Sequence, residues 1–268
     1  MIPAYRWPAF ARWFARHCDR RLRACFHDAA LDGVEHLREA LAQGPVLAIA
    51  NHSSWWDAVV AVVLSHRRLG VDAYAMMDAQ QLAHVRFFGF VGGFGVDRGH
   101  RRDGVEALRY AQSLLDRPGR LVWVFPQGTI APAHHPLQFE GGAARIAMGV
   151  PNLRVVPIGL RYRFGTHERP TLQVACGAAL VPTATVPAVV TAQLRDGVLA
   201  CLQRLDDAAP DALPTWFTRD ERPGLATRLL DAIAGWVIAR GGSRLQAAVA
   251  AEPKPLASPR DRGAAQRP

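Results

Sequence analysis

Lysine is almost absent from this chain: Lys254 stands alone, and arginine supplies the rest of the 32 basic residues. Set against 23 acidic residues, they give a formal net charge of +9. Guanidinium forks match phosphate and carboxylate groups. So basic a surface is drawn to anionic lipid or to nucleic acid, and charge alone does not choose between them. Cysteine is scarce too. Cys18, Cys25, Cys176 and Cys201 form no CxxC pair and no zinc-ligand spacing, which excludes a disulfide framework and leaves small apolar fillers in a reducing compartment. Long apolar runs are missing. No stretch reaches the roughly 18 uncharged apolar residues of a spanning helix, and Arg6, Arg12 and Arg16 interrupt the apolar start that a secretory signal would need. The expected location is therefore cytoplasmic, with any membrane contact peripheral. A Gly-x-Ser-x-Gly elbow, a Walker loop and a dinucleotide fingerprint are also lacking, as are the helix-turn-helix, RNP and zinc signatures of a nucleic-acid reader. His134-His135 has no carboxylate or cysteine at metal-ligand spacing. Neither a metal, a bound cofactor nor a nucleic-acid partner is expected.

What is present organises into three parts. Residues 1–30 hold an amphipathic segment: Phe10, Trp13, Phe14, Cys18, Leu22, Cys25 and Phe26 recur at helical spacing between Pro8 and Phe26, with Arg12, Arg16, Arg20 and Arg23 on the other side. Such a helix either lies in a lipid interface, rings in the acyl boundary and guanidinium groups on phosphates, or packs on the surface of its own domain. Residues 31–250 alternate strand and helix signals. Val46 to Ala50 has the length and apolarity of a buried strand. Asp57 opens a helix through Leu64, a strand covers Ala73 to Met77, and a segment through Phe90 leads to a glycine-rich turn, Gly92-Gly93-Phe94-Gly95. Asp103 is placed to N-cap a helix, and further strands are expected at Arg120–Phe125, Arg154–Tyr162 and Thr171–Cys176. Helices are expected from Gly142, over Val189–Leu205 and over Ala226–Arg240. The pattern predicts a single α/β domain with a central mixed, largely parallel sheet flanked by helices. Residues 251–268, proline-rich, charged and poor in large apolar side chains, are expected to be a disordered tail.

The chemistry-bearing residues sit just beyond two of these strands. Asn51-His52-Ser53-Ser54 follows the first, and Asp57 comes five residues after His52. On one continuous helix the pair would diverge, whereas a strand-to-helix turn brings the side chains together. An imidazole held by a carboxylate keeps one tautomer and is stabilised on taking up a proton, so it is suited to deprotonating an alcohol. Taken alone, the pair is equally a histidine capping a strand end and an aspartate capping the next helix. Trp55 and Trp56 between them either wall a channel or pack in the core.

The pair does not stand alone. Asn51-His52-Ser53-Ser54-Trp55-Trp56-Asp57 is followed by Gly95-Val96-Asp97-Arg98, by Phe125-Pro126-Gln127-Gly128-Thr129 and by Val155-Val156-Pro157-Ile158. In order and spacing these resemble the four motif blocks of the glycerolipid acyltransferase superfamily, whose best-known members acylate 1-acylglycerol-3-phosphate. The resemblance runs from about Pro45 to Gly159. It implies an O-acyltransferase that moves a fatty acyl group from acyl-CoA or acyl carrier protein to a hydroxyl of a lysophospholipid-like acceptor, with His52 as general base and Asp57 as its partner. It implies substrate-binding roles for Asn51, Ser53, Arg98, Pro126, Gln127, Gly128 and Thr129, with Arg98 on an anionic acceptor. The partners it implies are the acyl thioester, a lipid acceptor and the anionic inner face of a membrane. Two positions depart from the family's Phe-Pro-Glu-Gly-Thr-Arg block: Gln127 replaces the acid and Ile130 the arginine. Losing that arginine removes a phosphate contact, which opens the acceptor to a glycolipid or a hydroxylated isoprenoid. Glu140 also stands where a basic residue is common. The rival reading is a non-catalytic lipid-binding protein of the same fold.

Overall fold

In the computed structural model, residues 1–209 and 212–218 are described. Two compact units divide the chain, Met1–Arg219 and Asp220–Pro268. The helix expected over Ala226–Arg240 and the expected tail at 251–268 lie outside the described residues.

The first unit is built on an eight-stranded sheet of order β4-β3-β5-β2-β6-β7-β1-β8. Its strands are β1 (Asp28–Asp32), β2 (Val46–Ala50), β3 (Asp72–Asp78), β4 (Gly93–Val96), β5 (Arg120–Val124), β6 (Arg154–Arg163), β7 (Thr171–Cys176) and β8 (Thr215–Thr218). β4, β3, β5, β2 and β6 are mutually parallel. β7 turns back antiparallel to β6, β1 pairs parallel with β7, and β8 closes antiparallel on β1. The sheet is thus mixed and largely parallel. β2 lies inside it with all five residues buried, which is why its sequence, Val-Leu-Ala-Ile-Ala, carries no polar alternation.

Helices cover both faces. α1 (Pro8–Cys25), α2 (Val34–Gln43) and α3 (Trp56–Val63) pack into one core cluster with Val46, Ala48, Ala50 and Trp123. α5 (Arg101–Leu114), α6 (Gly142–Met148) and α7 (Pro187–Asp207) pack into the other, with Leu47, Ile49, Val122 and Val124. The alternation of β2 and β5 side chains between two clusters is the strand period at work. The short α4 (Ala79–His84) lies between β3 and a 3₁₀ turn at Arg86–Val91.

Several expectations change. α1 buries Ala11, Ala15, Cys18 and Leu22, so its innermost stripe is small rather than aromatic. The expected glycine turn is largely strand β4. Its glycines serve close approach: a Cβ at Gly93 would lie 2.9 Å from the Phe88 carbonyl oxygen, and one at Gly95 3.0 Å from Ala79 Cα. Only Gly92, at φ +98°, is a true turn residue. Asp103 is not the N-cap of α5. His100 holds that position, and Asp103 lies in the first turn, where its carboxylate pairs with the Met1 amine at 2.7 Å. The cysteines are buried or half-buried and unpaired. Burial pushes the Cys18 thiol up to about 12 and the Cys201 thiol to about 11, so both stay protonated and inert near neutral pH.

Candidate active site

The parallel strands deliver the loops after β2, β4 and β5 to one edge of the sheet, and the sequence-predicted residues meet there. β2 ends at Ala50 and the chain turns through Asn51 to Trp55 into α3. The turn closes on Asp57. Its Oδ2 accepts from the backbone N–H groups of Ser53 and Ser54 at 2.8 and 2.9 Å and lies 2.7 Å from His52 Nδ1. Oδ1 accepts from the Tyr162 hydroxyl at 2.6 Å. Asp57 is fully buried, and an aspartate in the first turn of α3 also faces the positive end of the helix dipole. A carboxylate surrounded by donors fixes the imidazole: Nδ1–H donates, and Nε2 keeps its lone pair. The His52 ring stacks on Phe125 with centroids 4.6 Å apart. Among the described residues Nε2 has no protein partner.

His52 faces a cavity of about 570 Å³. Its walls are polar and apolar in nearly equal measure: Met76, Val96, Val105, Leu108, Phe125 and Ala143 on the apolar side, with Arg98, Arg101 and Arg145 set against Asp78 and Glu140. Asp57 is not on the wall; it backs the histidine. The cavity therefore offers one basic nitrogen, an apolar wall and a few guanidinium groups. That combination suits an apolar substrate with an anionic end.

The remaining predicted residues divide by position. Arg98, Pro126 and Gly128 line the cavity. Asn51, Ser53, Gln127 and Thr129 do not. Asn51 is buried, and its amide bridges strand β6: Oδ1 accepts from Leu160 N–H at 2.8 Å while Nδ2 donates to Leu160 C=O at 3.0 Å. Ser53 gives Asp57 its backbone N–H. Gln127 Oε1 accepts from the His52 backbone N–H at 2.6 Å, so the neutral amide ties the third block to the histidine through its carbonyl. An acceptor oxygen is all this contact needs. Gly128 adopts φ +71°, and its N–H is already given to Phe125 C=O at 3.0 Å. A Cβ at Gly128 would come within 2.6 Å of the Arg98 guanidinium, which donates to the Gly128 carbonyl at 2.6 Å. Arg98 pairs neither with Asp97 nor with Asp103. Its other guanidinium nitrogen is 2.5 Å from Glu140, while Asp97 holds His100. Ile130 is exposed. Trp55 is exposed, and Trp56 packs edge-on against Phe26 at 5.2 Å.

Tyr162 is the site residue that sequence reading passed over. It lies 105 residues from Asp57. The one signal was its alternation with Ile158 and Leu160, which puts all three on the α3 face of β6. Burial, and next the carboxylate beside it, push its hydroxyl well above the ordinary tyrosine range, so it remains a donor.

The sheet edge presents a histidine backed by an aspartate to a cavity, and the family model described as Acyltransferase matches residues 30–161. Residues 30–161, just under half of the chain, thus resemble that family's domain. The chain is 28% identical over 120 residues to a Caenorhabditis elegans protein named "Putative 1-acyl-sn-glycerol-3-phosphate acyltransferase acl-2", covering 43% of this chain and 40% of that one. The chain thus spans about two fifths of the length of the curated relative it matches. The crystal structure of the 1-acyl-sn-glycerophosphate (LPA) acyltransferase PlsC from Thermotoga maritima superposes with a TM-score of 0.53 at 18% identity, covering 74% of this chain and 81% of that one. At that identity the likeness concerns the fold.

Proposed function

We propose that this chain transfers a fatty acyl group from a thioester to a hydroxyl of a lipid acceptor at a membrane surface. The reading rests above all on the 2.7 Å contact between His52 Nδ1 and buried Asp57, which leaves Nε2 open to the cavity. Nε2 takes the acceptor's hydroxyl proton as that oxygen attacks the thioester carbonyl carbon. The tetrahedral oxyanion collapses, the carbon–sulfur bond breaks, and the departing thiolate takes the proton from the imidazolium. No enzyme nucleophile, metal or bound cofactor enters the scheme. The donor is acyl-CoA or acyl carrier protein. The test is transfer of labelled acyl groups to a panel of lipid hydroxyls: a labelled ester supports the reading, and none from any donor–acceptor pair contradicts it.

Charge at the cavity bears on the acceptor. Glu140 occupies Arg98, and Ile130 contributes none. A phosphate monoester such as lysophosphatidic acid must displace Glu140 from Arg98; an uncharged hydroxy lipid need not. Glu140→Gln is therefore expected to lower KM severalfold for lysophosphatidic acid and to leave an uncharged acceptor unchanged, as steady-state kinetics on both would read.

α1 and the residues just before it carry the features that suit a membrane surface. Tyr5, Trp7 and Trp13 are exposed, and Trp7 and Phe10 meet Phe90, itself exposed, at 6.3 and 5.5 Å. Arg12, Arg16 and Arg20 are exposed on the same helix. Among the described residues no helix is long and apolar enough to cross a membrane. Aromatic rings beside guanidinium groups suit an anionic lipid interface. The double variant Trp7→Ala/Trp13→Ala is expected to bind phosphatidylglycerol-containing vesicles at least about tenfold more weakly in co-sedimentation, the scale of losing two partly inserted rings.

A further inference from the structure

β6 runs on past the end of β2. The last paired residues are Ala50 and Ile158; beyond them the Asn51 amide grips the Leu160 backbone, and Tyr162, on the same face, reaches over the turn to Asp57. The phenol ring lies against Phe26 with centroids 5.9 Å apart, and Phe26 in turn meets Trp56 edge-on at 5.2 Å. Residues that close α1 and open α3 thus hold the ring in place. Tyr162 is not on the wall of the cavity that His52 faces. Whatever it does for the chemistry, it does through Asp57.

The two carboxylate oxygens of Asp57 are served differently. Oδ2 is filled by the His52 ring and two backbone N–H groups, whereas among the described residues Oδ1 accepts from the Tyr162 hydroxyl alone, at 2.6 Å. The side chain is fully buried, and a carboxylate shut off from water takes up a proton unless donors meet its charge. Oδ1 is the oxygen with room for that proton. A hydroxyl already donating there keeps it out, and the Tyr162 hydroxyl holds its own proton firmly. Asp57 is the one charged residue of α3, and α1, which packs on it, buries Ala11, Ala15, Leu22 and the protonated Cys18. His52 and Tyr162 are therefore the ionisable groups that face the carboxylate.

We propose that Tyr162 is a positioning residue for the histidine–aspartate pair: its hydroxyl keeps Asp57 an anion and holds the carboxylate plane with Oδ2 on His52. The consequence for turnover rests on the acyl-transfer reading. An aspartic acid protonated at Oδ1 still orients the ring, but it leaves the imidazolium of the transition state without its counter-charge.

Tyr162→Phe keeps the ring and removes the donor. Two measurements on the full chain read the result. NMR of the Asp57 carboxyl carbon against pH, assigned by its absence in Asp57→Asn, needs no turnover; the pH dependence of kcat and KM for labelled acyl transfer does. With the donor gone the anion is less stabilised, so the carboxyl is expected to take up its proton about one pH unit higher than in wild type. On the acid side kcat is expected to fall at least about tenfold with KM little changed, and the deficit shrinks as pH rises. In an Asp57→Asn background, with no charge to keep, the same substitution is expected to cost less than about twofold in kcat. A side chain that served packing alone would lower activity by one factor at every pH and in both backgrounds. Either of those results overturns the proposal, as does a carboxyl that titrates alike in Tyr162→Phe and wild type, or in neither. Should Tyr162→Phe not fold, a ring-fluorinated tyrosine at this position, a stronger donor of nearly the same shape, is expected to move the carboxyl's proton uptake to lower pH, and no movement overturns the proposal. A shifted carboxyl in a chain that transfers no acyl group defeats the acyl-transfer reading and leaves the role of Tyr162 standing. Transfer with an unshifted carboxyl does the reverse.

Discussion

Replacing Asp57 with asparagine is expected to lower acyl transfer by about 10²- to 10⁴-fold while leaving the protein folded. The amide can take over the contacts. Its oxygen, turned toward Ser53 N–H, Ser54 N–H and His52 Nδ1–H, accepts as Oδ2 does now, and its nitrogen can donate to the Tyr162 oxygen that at present donates to Oδ1. Ring orientation and tautomer survive. What is lost is the negative charge beside an imidazole that must become positive in the transition state, and in a fully buried position that charge is poorly replaced by solvent. The fall should appear in kcat, with KM for both substrates little changed and the thermal midpoint close to wild type. A variant that keeps most of its activity would mean that His52 does not charge during turnover. Asp57→Ala differs in kind, because it strands two backbone N–H groups and the tyrosine hydroxyl, so its loss of activity would be mixed with loss of fold.

Asn51→Ala should do the opposite: unfold the protein more readily, by about 2–4 kcal/mol, rather than weaken substrate binding. The Asn51 amide spans both backbone groups of Leu160, at 2.8 and 3.0 Å, where β2 has ended and β6 continues. Both residues are almost fully buried. Alanine leaves a donor and an acceptor without partners or water, and each costs about 1–3 kcal/mol. Chemical denaturation read by far-ultraviolet circular dichroism measures the loss. A large rise in acceptor KM with unchanged stability would instead return Asn51 to the substrate-binding role that its motif suggests. Because the clamp fixes the chain one residue before His52, some activity will be lost with it; the stability change is the distinguishing readout.

Sequence and structure agree where the signal is local. β2 and β5 are continuous apolar runs ending in polar clusters, and such runs mark buried parallel strands whose carboxyl ends carry the site. His52 and Asp57 are close in sequence, so a single turn decides their contact. The reading fell short where long-range pairing decides. β1, Asp-Ala-Ala-Leu-Asp, is short and polar at both ends, and it is a strand because it pairs with β7 some 140 residues later, Ala29 facing Leu172. β4 looked like a turn because its glycines, which admit neighbouring backbone, have the same composition as a turn. Tyr162 on Asp57, Gln127 on the His52 N–H and Glu140 on Arg98 each span 42 to 105 residues. No spacing rule reaches that far. The departure at Gln127 shows what is gained: the sequence records a lost charge, while the structure shows that the side chain still accepts the bond the loop requires.

The most direct test of the central claim is acyl transfer by purified wild type and His52→Ala, side by side, with labelled acyl-CoA and acyl carrier protein as donors and a panel from lysophosphatidic acid to uncharged hydroxy lipids. His52 is partly exposed at the cavity wall, so its loss should leave the fold intact, which circular dichroism checks. The expected result is a labelled ester from wild type and a fall of at least about 10³-fold in the variant. A folded His52→Ala protein that transfers acyl groups at the wild-type rate would contradict the account.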